Sequence, residues 1–180
     1  MYIAPVAVVI LKIIFLLLLA DFFTGVFHFM VDRYGRVDGP YMTHSVNLLL
    51  AHHDHPRRIL YQTYWELTGG VYKASFIIFP VSLIFGFHWE ILVFLLFSAN
   101  GNIIHKWAPQ TKANTQSFIK LLQKTRLIQS RSHHSRHHSG AFNHNFCVMT
   151  NVVNPILQWI HFWSLLTFIL GVFNIKPVQR

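Results

Sequence analysis

The stretch IAPVAVVILKIIFLLLLADFFTGVFHFMV, Ile3 to Val31, constrains this chain more than any other. A bilayer core about 30 Å thick takes ~20 apolar residues of helix to cross. The first part of the stretch is that long and that apolar. A signal peptide would carry basic residues before the apolar run and a small-residue cleavage site after it. Neither is present, and the run continues into DFFTGVFHFMVD. The expectation is a transmembrane helix kept in the mature protein.

Further apolar segments follow. Residues 71–107 are too long for one span and break at GFHWE, Gly86 to Glu90. They read as a helical hairpin with arms at about 71–87 and 90–105, the first kinked by Pro80, which membrane helices tolerate. PILQWIHFWSLLTFILGVF, at 155–173, has Trp159 and Trp163 near one end, as an interfacial belt would. Spanning the bilayer and lying in its interface are both open for this segment. Between these lie two polar stretches. In residues 32–70, Gly35, Gly39 and Pro40 mark a turn and the rest suits short interfacial helices. Residues 108–150 form the longer one. The expected fold class is all-α: a single polytopic membrane domain over 1–180 with about three to four transmembrane helices.

Charge supports this and narrows the partners. The formal net charge is +9, but beside such apolar runs it favours anionic lipid headgroups over nucleic acid. Most of the Lys and Arg fall in the two polar stretches, which share a side if the first helix crosses once and the hairpin twice. The positive-inside tendency makes that side cytoplasmic. The single cysteine, Cys147, excludes an intramolecular disulfide. No phosphate loop, dinucleotide fingerprint, zinc-finger spacing or nucleophile elbow is present.

The strongest bias is thirteen histidines against six acidic residues. All but His88 and His161 lie on or beside the same face. His28 is four residues before Asp32, so the two share a helix face. HHDH holds His52, His53 and His55, NIIHKW holds His105, and HHSRHH holds His133, His134, His137 and His138. On a helix, His133/His137 and His134/His138 form two neighbouring rows, each able to present two nitrogens to one ion. Imidazole suits Zn, Cu and Fe. Soluble di-iron bundles need glutamates, and only Glu66 and Glu90 exist here. The zinc-protease motif His-Glu-x-x-His is absent. An all-histidine cluster at a membrane face best fits a non-haem di-iron, oxygen-activating site. The candidate metal ligands are His28, His52, His53, His105, His133, His134, His137 and His138. The plainer readings are a basic patch for the HHSRHH run and satisfied helix-end histidines for His28 and His105. His55 is evenly placed between the two, and His44, His88, His144 and His161 are taken as non-ligands. Asp32 is expected to act catalytically as a partner orienting an imidazole rather than as a ligand. Asp21, late in an apolar helix, is costly unless paired and suits a structural role.

DFFTGVFHFMVDRYG, AHHDHP, NIIHKW and LLQKTRLIQSRSHHSRHHSGAFNHNFCVMTNVVNP occur in that order. Together they resemble the Kua family of lipid desaturases, which includes plasmanylethanolamine desaturase and plant plastid acyl-lipid desaturases. The resemblance covers roughly residues 20 to 165, and its most specific part is HHxxHH followed by FCVMT. It implies a membrane enzyme with two iron ions that uses O2 and external electrons to remove two hydrogens from a lipid alkyl or acyl chain. In plasmanylethanolamine desaturase the product is the vinyl ether of a plasmalogen. The family's histidines map onto the eight candidates, and Asp32 onto its acidic residue. One departure stands out. Four residues after His105, where the family has a second histidine, this chain has Pro109, which also disfavours a helical Ala108. Either a ligand is missing, or His55, His44 or His144 supplies it. The implied partners are a membrane lipid substrate and an electron donor of cytochrome b5-like or ferredoxin-like type. Arg57, Arg58, Lys106 and Arg131 are candidate contacts for lipid phosphate. The implied location is the endoplasmic reticulum or a bacterial inner membrane. The alternatives are a lipid hydroxylase with the same metal site, and a degenerate metal- or pH-sensing membrane protein.

Overall fold

The computed structural model describes residues 3–39, 43–139 and 143–178, so Pro40 of the expected turn lies outside the described residues. Among the described residues every regular element is helical. The α-helices are α1 (Ile3–Tyr34), α2 (Thr43–Asp54), α3 (Tyr64–Ser82), α4 (Trp89–Trp107), α5 (Ser117–Lys124), α6 (Arg131–His137), α7 (Val153–Trp159) and α8 (Phe162–Val172).

At about 1.5 Å per residue, α1 is ~48 Å long, well beyond one bilayer core. Its two halves differ accordingly. Val6, Leu11 and Phe15 are exposed, as lipid-facing side chains are, whereas Ala20, Asp21, His28, Phe29 and Val31 are buried in protein. Helix α3 starts at Tyr64, seven residues before the expected hairpin arm. Thr63 and Glu66 form a capping box: the Glu66 carboxylate accepts from the Thr63 backbone N–H and the Glu66 N–H donates to Thr63 Oγ1. The helix runs through Pro80 and tightens into a 3₁₀ turn at Leu83–Phe85. Gly86, at φ 102°, then reverses the chain into α4, a backbone region that glycine enters freely.

Among the described residues two helices, Pro5–Tyr34 and Tyr64–Phe85, are long and apolar enough to cross a membrane. A third qualifies by length and composition if α7 and α8, bent by 63°, count as one span. That gives two to three candidate spans against the expected three to four. Helix α4, expected to span, falls short because Ser98–Asn102 interrupts its apolar character. The reason lies in its position: α4 packs against both α1 and α3. Asn100 Nδ2 donates to Tyr72 on α3, and Asn102 Nδ2 donates to the Leu67 carbonyl. Gly101 faces Thr24 of α1 and Met149 so closely that a Cβ would press on both. The bend between α7 and α8 is at His161, in the left-handed region at φ 52°. Trp163 is no interfacial belt residue. It is buried, stacked on Phe29 at 5.1 Å and edge-on to Phe146 at 4.8 Å.

The segment from Phe146 to Thr150 is irregular yet buried. Such backbone is tolerated at depth only where protein satisfies it. Asp21 does so: its carboxylate accepts from Met149 N at 2.7 Å, Thr150 N at 3.0 Å and Thr150 Oγ1 at 2.7 Å. A buried carboxylate in an apolar helix is thereby paired with three donors, and the FCVMT segment is tied to α1. Gly25 lets the segment approach, since a Cβ there would collide with Cys147 Sγ.

Candidate metal centre

Two four-donor groups form where the C-terminal half of α1, the ends of α2 and α4, and α6 meet. His52, His105, His134 and His138 make the first; His28, Asp32, His53 and His137 make the second. Within each group the candidate donor atoms all lie within 4.8 Å of one another. The groups adjoin, with His53 and His138 rings 5.1 Å apart and His137 and His138 rings 5.3 Å apart.

Helical spacing explains the sorting. His28 and Asp32, one turn apart on α1, point the same way, with His28 Nε2 3.3 Å from Asp32 Oδ2. His52 and His53 are adjacent at the end of α2, so their side chains diverge into different groups. His52 Nε2 lies 3.1 Å from His105 Nε2 and 3.0 Å from His138 Nε2. His53 Nε2 lies 3.1 Å from His137 Nε2 and 3.4 Å from Asp32 Oδ1. The row His134/His138 enters one group as expected, but the row His133/His137 divides. His137 joins the second group; His133 joins neither. Its Nε2 accepts from Asn154 Nδ2 at 2.7 Å. Asn154 also accepts from Cys147 N–H at 2.9 Å and donates to the Cys147 carbonyl at 2.7 Å. Seven of the eight histidines are therefore brought together, with the Asp32 carboxylate beside three of them.

The donor chemistry fits a cation. His28 Nδ1 is 3.1 Å from the Phe146 carbonyl and His137 Nδ1 is 2.8 Å from the His144 carbonyl. A carbonyl only accepts, so each Nδ1 carries the proton and each Nε2 presents a lone pair. Those lone pairs converge with the Asp32 carboxylate, 3.3 and 3.4 Å away. In the first group both ring nitrogens of His134, and Nδ1 of His52, are buried without a hydrogen-bond partner. Convergent acceptors repel unless a positive charge lies among them. Burial first, and neighbouring histidines next, push His52 and His134 down to about 2 and His138 to about 4. His133 is also pushed down to about 4, by burial and then by Arg136. These imidazoles are neutral at ordinary pH, the state that binds metal.

The remaining expectations fall out differently. His55 and His44 are exposed and belong to neither group; His144 contributes only its carbonyl. Pro109 is buried just past the end of α4, and Ala108, despite the following proline, is helical at φ −64°, ψ −46°. Both groups reach four donors without residue 109. Lys106 donates to the Gln62 carbonyl, while Arg57, Arg58 and Arg131 are exposed. Sequence reasoning missed Asn154 and the carbonyls of His144 and Phe146. The only trace of them was the conspicuous FCVMT and NVVNP strings.

Residues 17–179 match the family described as the lipid desaturase domain, and the chain belongs to it. It is 30% identical to plasmanylethanolamine desaturase 1 of Mus musculus over 94% of this chain and 68% of that protein. It is 27% identical to the Arabidopsis thaliana protein "fatty acid desaturase 4-like 1, chloroplastic" over 88% of this chain and 55% of that protein. It is 25% identical to plasmanylethanolamine desaturase of Myxococcus xanthus over 81% of this chain and 54% of that protein. The chain thus spans about half the length of its plant relatives. No solved structure matches it.

Proposed function

We propose that this member of the lipid desaturase family is an O2-dependent desaturase of membrane lipids with a two-iron centre. The observation that supports it is the pair of adjoining four-donor groups assembled from four separate helices. Seven histidines, His28, His52, His53, His105, His134, His137 and His138, with Asp32, would hold the two ions. Non-haem iron supplies oxygen activation when bound, and imidazole with carboxylate suits it. The protein's own part is positional. Phe146 and His144 carbonyls hold His28 and His137 in one tautomer with Nε2 inward. Asp32 places a negative charge among the second group's imidazoles. Asn154 ties His133, and so α6, to the buried 147 segment. The aromatic wall of Phe29, Phe146 and Trp163 keeps water from one side. His133 is reassigned from ligand to positioning residue.

The substrate follows from kinship and surroundings: a lipid alkyl or acyl chain, with plasmanyl ethers the leading class because of the mouse and bacterial relatives. Electrons come from a separate small donor of cytochrome b5-like or ferredoxin-like type. The concentration of Lys and Arg on the histidine face favours a cytoplasmic orientation in a multi-pass protein. Purified protein is expected to hold about two irons, consistent with a two-metal site. With O2 and a reductant it should yield a lipid lighter by two hydrogens. A product heavier by one oxygen would instead establish hydroxylation. Iron-free protein, together with an unchanged lipid double-bond profile when the gene is expressed, would overturn the proposal.

A further inference from the structure

A cavity of 330 Å³ lies between the end of α1, the start of α8 and the segment before Phe146. Its lining is rich in donors and lacks an acid. Arg33, one residue before the end of α1, lines it. Among the described residues its guanidinium makes no hydrogen bond or ion pair. The neighbouring acids are engaged elsewhere, Asp32 in the second donor group and Asp38 with Arg36. Phe29, Phe146 and Trp163 supply its apolar wall. Asn143 adds its amide N–H2, its Oδ1 being taken by His144 Nδ1 at 2.8 Å.

We propose that this cavity binds a phosphate ester anion, with Arg33 as the charged partner and the Asn143 amide as a neutral donor. Its position at the end of α1 is headgroup level for a helix that outruns the bilayer core. The volume suits a headgroup and lies at the small end of ligand pockets, about 300–1,000 Å³. The wall between cavity and donor groups is a single ring: Phe146 is 4.8 Å from Trp163 on one side and 5.3 Å from His137 on the other. Resting on the desaturase reading, the anion is the phosphodiester of the lipid substrate, and holding it here sets the register of the chain that follows. Arg33 is then a specificity-determining residue for phospholipid over uncharged lipid.

The test is binding, which needs neither iron nor turnover. Detergent-solubilised full chain is titrated with dioleoylphosphatidylglycerol, dioleoylglycerol and inorganic phosphate, read by native mass spectrometry. The expected result is preference for the phospholipid over dioleoylglycerol. R33Q should reduce phospholipid affinity about tenfold, the scale of one charge-assisted hydrogen bond, and leave dioleoylglycerol unchanged. R57Q and R58Q, on the exposed surface, should have no such effect. Equal affinity in R33Q and the unaltered protein, or equal losses in R33Q and R57Q, would overturn the site. Should R33Q fail to accumulate, N143A decides. A severalfold loss for phospholipid alone supports the site, and no loss overturns it. Displacement of the lipid by millimolar phosphate would identify free phosphate as the ligand and remove the lipid assignment; no displacement supports the lipid. Failure of the site with iron content and desaturation intact leaves the proposed function standing.

Discussion

The two donor groups adjoin, yet they are held in different ways. In the carboxylate group, His28 and His137 are locked by main-chain carbonyls and Asp32 supplies a formal charge. In the all-histidine group, both nitrogens of His134 and Nδ1 of His52 are buried without hydrogen bonds. The first is therefore fixed by the protein's own main chain, whereas His134 in the second is not. The difference traces to the backbone on each side. The carboxylate group borders the buried segment that Asp21 pins to α1, whereas the all-histidine group borders the end of α4. Ligating histidines that donate their other N–H hold metal better, typically by 10–100-fold per such partner.

The largest expected effect is ligand removal. H28A and H134A each strip one group, so bound iron should fall from about two to about one and product should drop to background. Iron analysis with lipid mass spectrometry reads both, and retention of two irons in either variant would dissolve the distinction. H133A sharpens it: two irons should remain, with activity reduced severalfold through loosening of Asn154, whereas H137A should lose one. D32N keeps shape and removes charge, so affinity at the carboxylate group should weaken by about 10–100-fold, the range for altered coordination partners, while the other ion is retained. Titration with a competing chelator measures this. In the unaltered protein the same chelator should release one ion well before the second, and simultaneous release would mean the groups behave alike.

The smallest effect is on stability against pH in the chelator-stripped protein. Burial holds His52 and His134 down near 2 and His133 and His138 near 4. Unfolded histidines titrate near 6.5, so below that pH the unfolded chain takes up protons the folded chain refuses. The melting temperature should be flat above about pH 7 and fall steadily from about 6.5 downward. Metal should suppress most of that fall near pH 6, because bound imidazole cannot protonate. A melting temperature that rises on acidification would contradict neutral buried histidines.

Much was legible from residue order. The apolar first part of the stretch from Ile3 to Val31 commits the chain to a membrane helix, because backbone polar groups there must bond within the segment. The hairpin break at Gly86 and the turn-spaced pair His28/Asp32 follow from local geometry alone. The gathering of histidines at one end follows from counting crossings. Local geometry also fell short. The row rule did not say that His133 turns to Asn154, and Trp163 looked like a belt residue but is buried. Both have one source: side-chain direction and burial depend on what packs opposite, and periodicity says nothing of that.

Helix positions, the apolar surface and the identity of the donors were thus determined by the sequence itself, since each depends on neighbours within a turn or two. Which donors meet was decided only by tertiary structure. Asp21 grips residues 149 and 150 across more than 120 positions, and that grip sets where the Phe146 carbonyl meets His28 and where Asn154 meets His133. Long-range hydrogen bonds in a dry interior have no local signature, yet they fix the rotamers that gather seven of the eight histidines and turn His133 to Asn154.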